Sequence, residues 1–367
     1  MKKRIALIAG DGIGPEVTQQ AVKVLEAVAE RFGYAFDFQP ALLGAVAIEK
    51  TGNPLPPETI EICRHADAVL FGAIGDPKYD NNPSATVRPE QGLLGLRKAL
   101  GLFANIRPIL SYPALGHLVP LKPALLQGVD FVVYRELTGG IYFGEKETSA
   151  DGQTARDVCS YSVAEISRIA HLAFKAAQNR RKKLTLVDKA NVLETSRLWR
   201  KTVQAIATEY PDVTVEYLYV DNAAMQIISQ PAQFDVLLTE NLFGDVLSDE
   251  ASVLSGSLGL LPSASVGEQT ALFEPIHGSY PQATGKDIAN PLGSILSAAL
   301  LLEHLGANSA AEAVREAVAW TLANGFVAKD IEPINYYGTQ AIGDMVAGQI
   351  TKGAASAYQV LNASTII

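Results

Sequence analysis

The densest run of chemically capable side chains in this sequence is Asn241-Leu242-Phe243-Gly244-Asp245-Val246-Leu247-Ser248-Asp249-Glu250. Asp245 and Asp249 are four apart, which on a helix stacks both carboxylates on one face. Two anions so placed repel unless a cation lies between them, and oxygen-only ligands suit a hard ion, Mg2+ or Mn2+. The plainer alternative is a solvated acidic helix face, and spacing alone does not choose between them. A third carboxylate, Asp221, follows the strand-like run Val213–Val220. It therefore stands at a strand's carboxyl end, where open α/β sheets bind ligands. It joins the pair only if the fold brings it near.

Val187-Asp188-Lys189-Ala190-Asn191-Val192 also ends a strand-like run. If the chain stays extended there, Lys189 and Asn191 face the same way. A lysine near buried polar groups and a divalent cation can serve as a base, although most lysines are simply solvated. Arg97, Arg107 and Arg135 each sit among apolar neighbours. Arginine captures carboxylates bidentately, so three that converge would clamp a di- or tricarboxylate, whereas singly each is a structural ion pair. Tyr142, in Gly140-Ile141-Tyr142-Phe143-Gly144, is either a proton donor or a strand aromatic.

The elements that must position these groups alternate along the chain. Strand-like runs at 4–9, 68–71, 129–134, 184–187, 213–220 and 234–238 are separated by helical patterns, among them 15–31 and 93–100. This alternation predicts α/β architecture with helices packed on a largely parallel sheet. The stretch 137–160 has turn signals at Gly139-Gly140 and Asp151-Gly152 and no helical period, so it predicts a hairpin-like arm. Its 367 residues are enough for two domains. The net charge of −9 argues against unspecific nucleic-acid binding, which needs clustered Lys and Arg. Cys63 and Cys159 are too few to staple such a chain, and lack the neighbours of a zinc site. They read as reduced, which predicts a cytoplasmic protein. The apolar run after Met1 stops at Gly10-Asp11, too short for a signal sequence, and the apolar candidate near 292–305 is too interrupted to span a bilayer.

Gly10-Asp11-Gly12-Ile13-Gly14-Pro15 follows a strand and opens a helix. A dinucleotide fingerprint needs glycine where Pro15 stands. Two readings remain: a tight turn before a helix begun by proline, or a cofactor-facing loop that is not a Rossmann loop.

Taken together and in order, these motifs resemble the β-decarboxylating dehydrogenases, the isocitrate/isopropylmalate family. They are Leu96-Arg97-Lys98, Asn105-Ile106-Arg107-Pro108, Arg135-Glu136-Leu137-Thr138-Gly139-Gly140-Ile141-Tyr142, Asp188-Lys189-Ala190-Asn191-Val192, Asp221-Asn222-Ala223 and the Asn241–Asp249 run. The tail from Glu274-Pro275-Ile276-His277-Gly278-Ser279 to Ile288-Ala289-Asn290-Pro291 extends the likeness over nearly the whole chain. Pro89-Glu90-Gln91-Gly92-Leu93-Leu94-Gly95-Leu96-Arg97 is similar to the isopropylmalate branch, in which the Glu and the Leu pair line a pocket for a branched alkyl group. Burying an isopropyl group is worth roughly 2 kcal/mol, about a 30-fold preference over bare malate.

The resemblance implies two domains that are not Rossmann folds. Residues 1–102 and 256–367 would form a cofactor-side domain holding both termini, and 103–255 a substrate and dimerisation domain whose arm, about 137–160, lies at the dimer interface. It implies a metal held by Asp221, Asp245 and Asp249, with Tyr142, Lys189 and Asp221 catalytic. Substrate would meet Glu90, Leu93, Leu94, Arg97, Arg107, Arg135, Asn191, Val192 and Asp221. NAD would meet Ile13, Glu274, His277, Gly278, Ser279, Gln282, Ala289 and Asn290. Lys189, Asn191, Val192 and Asp221 would come from the second subunit of a homodimer, so active sites would be shared. NAD-specific relatives usually carry Asp where Gln282 stands. Gln282 can still bond a ribose but cannot repel a 2′-phosphate, and neither 282 nor 283 is a cation, so NAD is favoured with looser selection. The alternatives are a tartrate/D-malate or homoisocitrate dehydrogenase, which the Glu90–Leu94 stretch disfavours, or a non-catalytic regulatory subunit, which every expected ligand, Lys and Tyr being present disfavours.

Overall fold

The computed structural model describes residues 1–80 and 86–352; two stretches of the expected cofactor-side domain, 81–85 and 353–367, lie outside them. The chain divides into two compact units. Of the described residues, one holds 1–102, 112–120 and 255–352, and the other holds Phe103–Ser111 and Leu121–Leu254.

The chain starts the first unit with β1 (Lys2–Gly10), β2 (Ala35–Pro40) and β3 (Ala68–Ala73). It then builds the second with β4 (Ala104–Leu110), β5 (Asp130–Glu136), the ribbon β6 (Lys146–Thr148) and β7 (Ala155–Asp157), β8 (Lys183–Asp188), β9 (Thr214–Tyr219) and β10 (Val236–Thr239). It returns to the first with β11 (Pro262–Val266) and β12 (Ala271–Pro275). In the first unit the strand order is β2-β1-β3-β12-β11, all parallel except β11. In the second it is β4-β5-β10-β8-β9, all parallel except β4.

Burial follows this order. Ala68–Ala73 and Asp130–Glu136 are buried at every position, as strands covered by helices on both faces require. The edge strands β2 and β9 instead alternate exposed and half-buried residues. β2, β4, β11 and β12 were not singled out by the sequence pattern. Three of the four are edge or antiparallel strands, in which the continuous apolar run that marks a central parallel strand is diluted by Pro, Ser, Asn or charged residues.

Helix Gly14–Phe32 carries Pro15 at its start and ends on Gly33 at φ 68, a left-handed cap that suits glycine. Helix Val163–Asn179 opens with a reciprocal Ser162–Glu165 capping box. Helix Leu292–His304 is buried at all its residues through Glu303. Its Glu303 is neutralised by the buried Arg315 at 2.8 Å. Among the described residues no helix is long and apolar enough to cross a membrane. Within the expected arm, β6 and β7 pair antiparallel, and all six of their residues are exposed.

Candidate functional site

In the second unit the chemically capable residues gather at the carboxyl ends of parallel strands, as open α/β sheets arrange them. Arg135 ends β5, Lys189 follows β8, Asp221 follows β9, and helix Asn241–Ser252 follows β10. Arg107 comes from the antiparallel β4, two residues along from Asn105, which pairs with Arg135.

Five of these side chains form one knot. Arg135 Nη1 donates to Asp245 Oδ1. Tyr142 Oη donates to Asp245 Oδ2 at 3.0 Å. Arg107 Nη1 donates to Asp249 Oδ1 at 2.8 Å and to Ser248 Oγ at 2.7 Å, and its Nη2 lies 3.9 Å from Asp245. Asp245 and Asp249 do share a helix face, but each already has a guanidinium. Their mutual repulsion is therefore relieved by arginine and does not by itself call for a metal. What remains is donor chemistry: two partly exposed carboxylates offering only oxygen, which fits a hard divalent cation. Burial and the neighbouring Asp245 push the Tyr142 hydroxyl above its ordinary pKa, keeping it protonated at neutral pH.

Asp221 is not part of this knot. Its carboxylate accepts from Lys189 Nζ, which also holds its pKa below the ordinary carboxylate value. Among the described residues no group of three His, Cys, Asp or Glu within the chain could hold a metal. After Asp188 the chain turns rather than staying extended, with Val192 and Leu193 N–H both bonded to Lys189 O at 2.9 Å. Asn191 and Val192 are left exposed, and the expectation that Lys189 and Asn191 face together along a strand does not hold.

In the first unit, helix Pro89–Ala99 separates the two leucines. Leu93 is buried with Leu43, Leu96 and Phe71, whereas Leu94 is 51% exposed. The alkyl surface offered outward is therefore that of Leu94. Glu90 is exposed, and Arg97 is tied to Glu274 at 2.7 Å.

The first unit also contains a cleft of about 710 Å³ lined by Ile13, His277, Gly278, Ala289 and Asn290. Those five come from the expected cofactor set. Glu274, Ser279 and Gln282 do not line it: the first two are buried, and Gln282 sits exposed on the turn Pro281–Ala283. The sequence reading missed Ser257, Leu258, Tyr280, Lys329 and Asp330 in the same wall. Asp330 accepts from Ser257 Oγ and from Asn290 Nδ2 at 3.1 Å. No local motif announced that meeting of three distant segments. The Gly10–Gly14 loop is locked: Ile13 N–H bonds Ser279 O at 2.8 Å, and a Cβ on Gly12 would stand 2.0 Å from that carbonyl oxygen. Asp11 accepts the N–H groups of Ala45, Val46 and Gly75, each at 2.9 Å. The loop is thus a tight turn that presents Ile13 to the cleft. His277 Nε2 is buried there with no hydrogen-bond partner, and burial lowers the ring's pKa. Nδ1 lies 3.0 Å from the Gly278 carbonyl and so carries the proton of the neutral ring, which leaves Nε2 as an acceptor that fits a donor such as the amino group of adenine.

A sequence model described as Isocitrate/isopropylmalate dehydrogenase matches residues 4–346. The chain is 52% identical over 354 residues to a 3-isopropylmalate dehydrogenase of Bacteroides fragilis, covering 96% of this chain and 100% of that one. It is 54% identical to one of Moorella thermoacetica, covering 95% and 98%. Among solved structures, an isocitrate dehydrogenase from Methylococcus capsulatus superposes with a TM-score of 0.84 at 36% identity, covering 95% of this chain and 99% of that one. With a matched pattern spanning both units and relatives aligned almost end to end, the chain belongs to the isocitrate/isopropylmalate dehydrogenase family.

Proposed function

We propose that the chain oxidises and decarboxylates 3-isopropylmalate to 4-methyl-2-oxopentanoate with reduction of NAD, a step of leucine biosynthesis. The observation that carries this reading is the convergence of Arg107, Arg135, Tyr142, Asp245 and Asp249 in one knot. Arg107 and Arg135 are the groups to hold the two carboxylates; each is oriented by an acidic partner. Leu94 supplies exposed apolar surface for the isopropyl group. Lys189, through Asp221 or a water, takes the hydroxyl proton during oxidation. Loss of carbon dioxide leaves an electron pair on the adjacent carbon, and Tyr142, held protonated, donates to it.

Asp245 and Asp249 of one chain, with Asp221 of another, would hold Mg2+ or Mn2+. The cleft of Ile13, His277, Gly278, Ala289 and Asn290, with Glu274, Ser279 and Gln282 around it, would hold the adenosine of NAD. When bound, these groups supply a Lewis acid at the substrate's hydroxyl and a hydride acceptor. A homodimer with shared sites is supported in two ways. Asp221 is not grouped with the other two aspartates in its own chain. Helices Val220–Ser229 and Asn241–Ser252 pack together yet leave Met225, Ile228 and Val246 exposed at 61%, 38% and 60%, an apolar face suited to a second copy. Asn191 and Val192, exposed beside Lys189, would then reach the partner's substrate.

The test is reduction of NAD and of NADP with 3-isopropylmalate, isocitrate and D-malate, with and without Mg2+. Fast, metal-dependent reduction of NAD with 3-isopropylmalate is expected. Preferential turnover of isocitrate or D-malate would replace the substrate assignment, and no turnover of any of the three would favour a regulatory subunit.

A further inference from the structure

Arg135 is set in a cradle made by the first turns of helix Asn241–Ser252. Asn241 is 1% exposed, and its Oδ1 accepts from Arg135 Nε at 3.1 Å and Nη2 at 2.9 Å. Gly244 lies beneath, where a Cβ would meet Arg135 Cγ at 2.6 Å. Asp245 takes Nη1. The Asn241 amide also donates from Nδ2 to Gly139 O at 3.3 Å, and Gly139-Gly140 leads into Tyr142. Its backbone N–H is anchored on the Tyr161 hydroxyl at 3.0 Å, and that hydroxyl donates to Glu240 at 3.0 Å. Arg107 has a similar support: Nε donates to Oδ1 of the buried Asn105 at 2.8 Å.

We propose that Asn241 is a positioning residue that fixes the Arg135 guanidinium and the start of the Tyr142 loop together, and does so because it is a neutral amide. A carboxylate at this place could accept the same two N–H groups. It would also set a second carboxylate on Arg135 beside Asp245, turning the knot of two arginines and two aspartates from neutral to negative toward a substrate carboxylate, and it has no proton to give Gly139 O. Charge and geometry are therefore separable by one nearly isosteric change.

The proposal rests on the functional reading above, so the wild-type enzyme is assayed first; absence of turnover there would be a failure of that reading, not of this one. Asn241→Asp is then expected to raise KM for the hydroxy-diacid about tenfold or more and to lower kcat through Tyr142, while the NAD dissociation constant measured by calorimetry stays within about twofold. In an Arg135→Lys background the same change is expected to add less than about twofold, because its effect is transmitted through Arg135. A wild-type KM in Asn241→Asp, or equal losses in both backgrounds, overturns the proposal. If Asn241→Asp does not fold, Asn241→Ser keeps the question open to measurement: it is neutral, so it should lower kcat more than it raises KM. The reverse pattern in that variant would also overturn it.

Discussion

The two units use one plan for two kinds of recognition. Leaving aside the β6–β7 ribbon, each has a row of five strands, four of them parallel and one antiparallel, and each sets capable residues just past the carboxyl ends of parallel strands. In the second unit the result is a knot of full charges, two arginines against two aspartates with a tyrosine attached. In the first it is a cleft shaped by backbone turns and mostly uncharged groups, with Ile13, Gly278 and Ala289 in its wall and the unpartnered Nε2 of His277 in it. A charged, compact ligand is held by interactions that fail when one partner is lost. A flat, mostly neutral ligand is held by shape, which degrades gradually.

That contrast can be broken most decisively at Asp245. Asp245→Asn should reduce turnover by about a thousandfold or more, because Arg135 and Tyr142 both depend on that carboxylate and, on the proposed assignment, a metal ligand is lost. NAD affinity should be unchanged. Because the carboxylate is paired with Arg135, the change should also cost stability, about 1 kcal/mol after allowing for partial exposure. Retained turnover in saturating Mg2+ would show that the knot is structural.

Next in size is a reconstitution. Tyr142→Phe and Lys189→Ala are each expected to be nearly inactive. Random co-assembly in a dimer with shared sites makes half the dimers mixed, with half of their sites intact, so activity returns to about a quarter of wild type. Tagged and purified heterodimers with no activity would place both residues of a site on one chain.

The smaller effects belong to the first unit. Leu94→Ala should lower kcat/KM for 3-isopropylmalate about fivefold and leave D-malate nearly untouched, since only the former has an alkyl group to lose contact with. Equal losses would show that Leu94 does not sense the side chain. Gln282→Asp should depress NADP use a few-fold by repelling its 2′-phosphate while sparing NAD. Unchanged NADP kinetics would mean that residue 282 does not face the ribose. A large loss of NAD binding from this single exposed change would contradict the picture of a cleft that degrades gradually.

The same contrast explains what could be read in advance. Asp245, Asp249, Arg107 and Arg135 announce themselves because their chemistry sits in the side chain and two of them share a short helical spacing. The pairing of Lys189 with Asp221 and the meeting of Arg107 with Asp249 need the sheet order, which no local pattern encodes. The cleft was only partly legible. His277, Ala289 and Asn290 stand in one recognisable stretch, but Ser257, Lys329 and Asp330 are ordinary residues until the fold assembles them. Leu93 misled for a physical reason: neighbouring residues on a helix point about 100° apart, so of the pair Leu93–Leu94 one enters the core and the other faces outward. The continuous apolar runs of β3 and β5 were plain, and the mixed strands β4, β11 and β12 were not.

The interrupted path of the chain has a consequence for its synthesis. In the first unit β12 lies between β3 and β11, and the buried helix Leu292–His304 packs on β3, on β11 and β12, and on the first helix. The opening hundred or so residues therefore cannot complete their sheet until the last third of the polypeptide leaves the ribosome. The second unit, nearly continuous in sequence, has all its strands much earlier. Nascent chains stalled just far enough beyond residue 254 for the second unit to clear the exit tunnel should thus protect that unit from protease while the first segment remains cleavable. The enzyme would acquire its charged half before its cleft, and equal early protection of both segments would contradict that order.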